Sequence, residues 1–223
     1  MFVEKTFQGM KYLLQFPEGA SDEKAHPVLI LMHGAGTRGE DLGNLKENPF
    51  FAITKNHKAF PFVVAAPLCN KDTWFDLFET VNAFAVHISK QSFAEPQRIY
   101  LMGASMGGYA VWQMAMSNPG LYAAAVPICG GGMYWNAPRL ASLPIWAFHG
   151  DKDTVVRTEE SQKMVSQVNA AGGNAKLTVY ENCGHDAWSE TYGNIEVFQW
   201  LLGHKRTGIS TDGPGFQDSN IYG

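Results

Sequence analysis

The sequence predicts an α/β fold with a mostly parallel central sheet and helices on both faces. Short apolar runs of strand length alternate with longer amphipathic stretches. The runs are near-continuously hydrophobic, as strands buried on both faces are. Glycine is in excess, 23 residues of 223, where average usage of about 7% gives roughly 16. Many of these glycines fall just past the ends of the runs, where a backbone must turn sharply or approach another closely.

In chain order the predicted strands are Tyr12–Phe16, Val28–Met32, Phe62–Leu68, Arg98–Gly103, Ala123–Cys129, Ile145–His149 and Lys176–Glu181. Between them, apolar periodicity predicts helices over Asp76–Ser92, Met106–Ser117, Arg157–Ala171 and Asn194–His204. The last carries Ile195, Phe198, Leu201 and Leu202 on one face. Only about a dozen residues, Gly130 to Leu143, separate the fifth and sixth strands, too few for a lid domain. The expected organisation is one α/β domain over residues 1–206 and a polar, glycine-containing tail over 207–223.

Composition narrows the function. Hydrophobic residues make up 45% and charged residues 17%, below the roughly 25% charged content of an average soluble protein, which excludes disorder and long solvated helices. The net charge is −4, and the basic cluster His204-Lys205-Arg206 sits at a helix end. No nucleic-acid footprint is present. Apolar runs such as Val28–Met32 fall well short of the roughly 18 residues of a membrane span. Three widely spaced cysteines, Cys69, Cys129 and Cys183, fit reduced thiols better than a disulfide framework or a zinc site, and the N-terminus lacks a secretory pattern, so a cytoplasmic location is expected.

The chemistry concentrates in four segments. Gly103-Ala104-Ser105-Met106-Gly107 follows a predicted strand and opens a predicted helix. A serine on such a turn thrusts its Oγ out of the sheet edge, and the helix N-terminus favours a developing anion. A serine hydroxyl needs a base, and the base needs an orienting carboxylate. Taking the order serine, acid, histidine, only His185 and His204 of the seven histidines follow both other groups. His204 stands beside Lys205 and Arg206 at a helix end, which leaves His185, in Cys183-Gly184-His185-Asp186, as the base.

The aspartates between Ser105 and His185 are Asp151 and Asp153, in His149-Gly150-Asp151-Lys152-Asp153. Asp153 is preferred, because Asp151 lies so near the strand end that it suits turn amides. His33-Gly34-Ala35-Gly36 ends the second strand. Acyl transfer needs two N–H donors for the oxyanion, here Ala35 and Met106, each worth about 3 kcal/mol in the transition state. His33 itself reads as a loop-orienting residue.

Together these segments resemble the α/β-hydrolase superfamily from about Tyr12 to Lys205. Leu31-Met32-His33-Gly34-Ala35-Gly36-Thr37-Arg38-Gly39, Gly103-Ala104-Ser105-Met106-Gly107-Gly108-Tyr109 and Gly184-His185-Asp186-Ala187-Trp188 resemble a small carboxylesterase, predicted-peptidase and feruloyl-esterase-like group, similar to phospholipase/carboxylesterase and dienelactone-hydrolase relatives. The resemblance implies Ser105, Asp153 and His185 as a triad and the amides of Ala35 and Met106 as an oxyanion hole. Dienelactone hydrolases typically carry a cysteine nucleophile, whereas this chain has Ser105.

The expected reaction is hydrolysis of a small-molecule carboxylic ester through an acyl-enzyme, with no cofactor and no metal, by a monomer or homodimer that binds neither nucleic acid nor membrane. A serine peptidase acting on short peptides and a non-catalytic binding scaffold are the alternatives. Trp74, Trp135 and Trp188 each follow a strand end, where open α/β sheets place their ligands, and are the candidate substrate-binding rings.

Overall fold

The computed structural model describes residues 2–20, 24–57 and 60–206; the predicted tail over 207–223 lies outside the described residues. Its strands are β1 (Phe2–Phe7), β2 (Met10–Gln15), β3 (His26–Met32), β4 (Val63–Pro67), β5 (Ala94–Ala104), β6 (Ala124–Ile128), β7 (Ile145–Gly150) and β8 (Ala175–Tyr180). The helices are α1 (Leu42–Lys46), α2 (Pro49–Thr54), α3 (Phe78–Ser89), α4 (Met106–Ser117), α5 (Thr158–Ala170), α6 (Ala187–Gly193) and α7 (Ile195–Gly203), with short 3-10 turns between them.

The strands form one sheet in the order β1-β2-β4-β3-β5-β6-β7-β8. The pairs β1–β2 and β2–β4 are antiparallel, and the others are parallel. Along β3 the side chains alternate between two cores. Val28, Ile30 and Met32 pack with α3, α4 and α5, whereas Leu29 and Leu31 pack with α1, α2, α6 and α7. Helices on both faces explain why the parallel strands read as continuous apolar runs. Each fully buried Leu, Ile or Phe contributes about 2 kcal/mol of transfer free energy, and α7 alone supplies Val197, Phe198 and Leu201.

Sequence periodicity missed β1 and the short helices. β1 is an edge strand with the exposed pattern of FVEKTF, joined to β2 through Gln8 and Gly9, both at positive φ (47° and 82°). Two positive φ values in a two-residue loop match the twist of a hairpin. The helices α1, α2 and α6 have five to seven residues, too few for a periodic signal, but their caps are readable in the sequence. Asp41 accepts from Gly43 N–H, Asn48 precedes Pro49 and accepts from Phe50 N–H, and Asp186 accepts from Ser189 N–H.

The parallel registers Met32↔Gly103, Ala104↔Ile128, Ile128↔Phe148 and Gly150↔Tyr180 bring the C-terminal ends of β3, β5, β6, β7 and β8 to one edge. Two glycines let the connections crowd there. A Cβ on Gly107, in the first turn of α4, would lie 1.9 Å from Met32 O, and one on Gly150 would lie 2.2 Å from Gly184 O. Between β6 and β7 the chain makes only a 3-10 segment, Tyr134–Leu140, and no inserted lid. Among the described residues no helix is long and apolar enough to cross a membrane.

Because the atom facing Gly107 is backbone, the chain has no flexible side chain to move aside. Gly107→Ala is expected to cost about 3 kcal/mol or more, read as a lower urea midpoint; an unchanged midpoint would contradict the close α4–β3 approach.

Candidate active site

Ser105 sits between β5 and α4 with φ 57° and ψ −119°. A non-glycine residue in this region carries about 1–3 kcal/mol of strain, tolerated only where the surroundings fix it. Its own backbone is fixed on both sides: Ser105 N–H donates to Ile128 O at 2.9 Å, and Ser105 O accepts Tyr109 N–H at 3.0 Å as the first bond of α4. The turn aims Oγ at His185, whose Nε2 lies 2.8 Å away.

His185 follows β8 in a loop locked to the end of β7. Lys152 N–H donates to Cys183 O at 2.9 Å, and Cys183 N–H donates to Asp151 Oδ1 at 3.1 Å. Asp151 is therefore engaged by a loop amide. Asp153 reaches His185 instead, with Oδ2 2.7 Å from Nδ1. Its Oδ1 accepts the N–H groups of Val155 and Val156, each at 2.9 Å. Burial by itself disfavours the carboxylate, but the bonds from His185, Val156 and Val155 outweigh it and hold the Asp153 carboxyl below the usual aspartate range. Donating to Asp153, Nδ1 carries the hydrogen, so Nε2 is free to accept one from Ser105.

The loop after β3 lies against this group. A Cβ on Gly34 would be 3.4 Å from Ala104 O and 3.6 Å from the Ser105 Cβ. His33 sets the loop from beneath: Nδ1–H donates to Gly34 O at 2.7 Å, and Nε2 accepts Cys69 N–H at 3.0 Å. Both nitrogens are thus satisfied by a neutral ring. Burial pushes the His33 imidazole down to about 4, with Arg38 adding to the effect and the Gly34 bond opposing it. Ala35 opens the 3-10 turn Ala35–Thr37, and Met106 is the first residue of α4, so its N–H lacks an intrahelical partner.

The three tryptophans separate. Trp135 is 68% exposed, and Trp188 is partly exposed, its ring edge-on to His185 at 5.4 Å. Trp74 corrects the expectation: it is 1% exposed, its indole N–H donates to His33 O at 2.9 Å, and its ring packs on His33. Phe75, next in the chain, is the exposed ring. His149, four residues before Asp153, also belongs to the site, with its Nε2 3.2 Å from Asp153 Oδ2. Its i, i+4 spacing to Asp153 was the available signal.

Ligand atoms of Cys129, Asp153 and His185 lie within 4.8 Å of one another. Burial pushes the Cys129 thiol far up, and the other two groups already share a hydrogen, so this trio suits a proton better than a cation. A hollow of about 1120 Å³ lined by Gln15, Phe16, His26, Lys55 and Phe62 lies at the opposite edge of the sheet and takes no part.

The doubly covered sheet, with a serine on the strand-to-helix turn and a histidine and an aspartate on later loops of the same edge, defines an α/β-hydrolase. Residues 69–195 match the Dienelactone hydrolase family, and the chain belongs to it. A thermostable esterase of known structure is 30% identical with a TM-score of 0.80; the match covers 92% of this chain and 63% of that one, so this chain spans less than two thirds of it. Est1E from Butyrivibrio proteoclasticus with ferulic acid bound is 16% identical at a TM-score of 0.70, over 90% of this chain and 98% of that one. Porphyromonas gingivalis dipeptidyl peptidase 4 is 13% identical at a TM-score of 0.65, over 92% of this chain and 35% of that one. The last two share the fold. No curated protein sequence matches significantly.

Two outcomes follow from this geometry. Ser105→Gly, which removes the positive-φ strain, should be more stable than Ser105→Ala by about 1 kcal/mol in urea unfolding; equal stabilities would contradict the strained turn. His33 titrates near 4 when folded and near 6.5 when unfolded, so between those values the unfolded chain binds the extra proton and stability is lost as pH falls. The shift corresponds to on the order of 3 kcal/mol, and His33→Gln should flatten the loss between pH 7 and pH 4. An undiminished slope in the variant would contradict it.

Proposed function

We propose that this protein is a serine carboxylesterase that cleaves esters of small or moderately sized substrates through an acyl-enzyme. One observation carries the reading: the unbroken chain of hydrogen bonds from Ser105 Oγ through His185 to Asp153, at 2.8 and 2.7 Å, on the strand-end edge of the sheet. As Oγ attacks the ester carbonyl, its proton passes to His185 Nε2, and Asp153 stabilises the imidazolium through Nδ1–H. The carbonyl oxygen takes up the negative charge facing the N–H groups of Ala35 and Met106. Collapse expels the alcohol, which takes the proton from Nε2. Water, deprotonated by the same nitrogen, then attacks the acyl-serine and releases the acid.

The substrate reading rests on openness and on aromatic surface. Only the short Tyr134–Leu140 segment stands between β6 and β7, which suits an open cleft rather than a lipid-gated one. Phe75, Tyr134 and Trp135 are exposed and Trp188 is partly so, each just past a strand end, and flat rings at such an edge suit an aromatic acyl group or a sugar. A protein of the same fold carries bound ferulic acid, which makes feruloyl esters, beside acetyl esters, the first substrates to try.

Wild-type protein is expected to hydrolyse p-nitrophenyl acetate and to be labelled by a fluorophosphonate. Ser105→Ala should lose both, turnover by about 10³-fold or more, while remaining folded. Retained turnover in that variant would sink the assignment. In a side-by-side panel of acetyl, butyryl, feruloyl and aminoacyl-arylamide substrates, esters should outrun amides; faster amide cleavage would make the protein a peptidase.

A further inference from the structure

Beyond Asp153 the hydrogen-bonded chain does not stop. His149, at the end of β7, is completely buried. Its Nε2 lies 2.9 Å from Val156 O and 3.2 Å from Asp153 Oδ2, and its Nδ1 lies 2.8 Å from Ser161 Oγ on α5. Ser161 is also fully buried, and its Oγ also lies 2.9 Å from Gly130 O, just past β6.

The partners decide where the hydrogens are. Both neighbours of His149 Nε2 are acceptors, a carbonyl and a carboxylate, so Nε2 carries a hydrogen. At Nδ1 the ring meets a hydroxyl that has one hydrogen and two partners, Nδ1 and Gly130 O. Nδ1 therefore accepts or donates according to where that hydroxyl points, while Nε2 donates in either case. Oδ2 of Asp153 thus accepts from His185 Nδ1–H at 2.7 Å and has the polar edge of the His149 ring beside it, with Nε2 at 3.2 Å and its hydrogen turned to Val156 O. The same Nε2–H also grips Val156, whose own N–H binds Asp153 Oδ1.

We propose that His149 is a positioning residue for the proposed acid: its Nε2–H, oriented by Ser161, holds the Val156 turn whose N–H binds Asp153 Oδ1, and its polar ring edge, 3.2 Å from Oδ2, restrains the basicity of His185. The inference rests on the esterase reading. Asp153 has a finite capacity to attract protons, and each positive edge held against it reduces its pull on His185. Without His149 the carboxylate turns wholly to His185, whose protonated form is then favoured. The acid limb of kcat/KM, where His185 takes up a proton, accordingly moves to higher pH. Other titratable groups around the pair are Cys129 at the end of β6, Tyr109 on α4, Glu160 on α5 and Asp186 in the His185 loop. Burial raises the Cys129 thiol and the Tyr109 phenol, which keeps both neutral there, and the two carboxylates are common to every variant below.

The test compares His149→Leu and His149→Gln with wild type on p-nitrophenyl acetate across pH, with turnover divided by the fraction of sites that a fluorophosphonate labels. His149→Leu should move the acid limb up by about one pH unit and lower kcat with KM little changed. His149→Gln, whose side-chain N–H reaches toward the same acceptors, should return the limb most of the way. A limb unmoved in His149→Leu, or Gln no nearer to wild type than Leu, overturns the proposal, since a purely structural role would reduce only the labelled fraction. If neither variant folds, 15N-histidine spectra of the wild-type protein should find His149 Nε2 protonated and its N–H shifted when Ser105 is phosphonylated. An unprotonated Nε2, or an N–H unmoved by phosphonylation, overturns it equally. Wild type without Ser105-dependent turnover would contradict the esterase reading instead.

Discussion

An ionised carboxylate buried at the edge of a sheet is costly, by several kcal/mol unless every lone pair is answered, and the arrangement around Asp153 answers them from three directions. Val155 and Val156 supply amides from its own loop, His185 an imidazole N–H from the loop after β8, and the polar edge of the His149 ring, on β7, lies 3.2 Å from Oδ2. The remote donor, His185, reaches the carboxylate only when β7 and β8 are paired in register. The site is in this sense a consequence of the folded sheet, since no short segment could assemble it.

The opposite half obeys a steric constraint. Ser105 is forced to positive φ because β5 must end and α4 begin within one residue, while Gly107 brings the helix onto the carbonyl of Met32. The same crowding brings the Gly34–Ala35 loop beside the serine. Strain at one residue is repaid by the helix and strands packed around it, which bury Val111, Met114, Leu101 and Val126 completely. In the proposed reaction, a rigid nucleophile turn facing a rigid acid and base needs little movement to react, and preorganisation of this kind is the main resource of acyl-transfer sites.

How far the chain could be read in advance follows from the range of the interactions involved. The buried parallel strands and the four long helices announce themselves because periodicity is local. α4 starts and ends at the predicted residues, and α5 and α7 agree within a residue at each end. β1 escaped because an exposed edge strand has no continuous apolar run, and α1, α2 and α6 because two turns or fewer show no period.

The sequence by itself determined the layer architecture and the order serine, aspartate, histidine, because strand burial and turn chemistry are written in neighbouring residues. Only the tertiary structure decided which side chains share a carboxylate and which rings meet solvent. Asp151 and Asp153 stand two apart, yet one holds a loop amide and the other His185, because the chain turns between them. Trp74 and Phe75 are adjacent, yet the indole is packed on His33 and the phenyl ring lies open. His149 stands four residues from Asp153, yet its contact with Ser161 exists only because α5 packs against β7. Such choices depend on contacts between residues far apart in the chain, which no local pattern encodes.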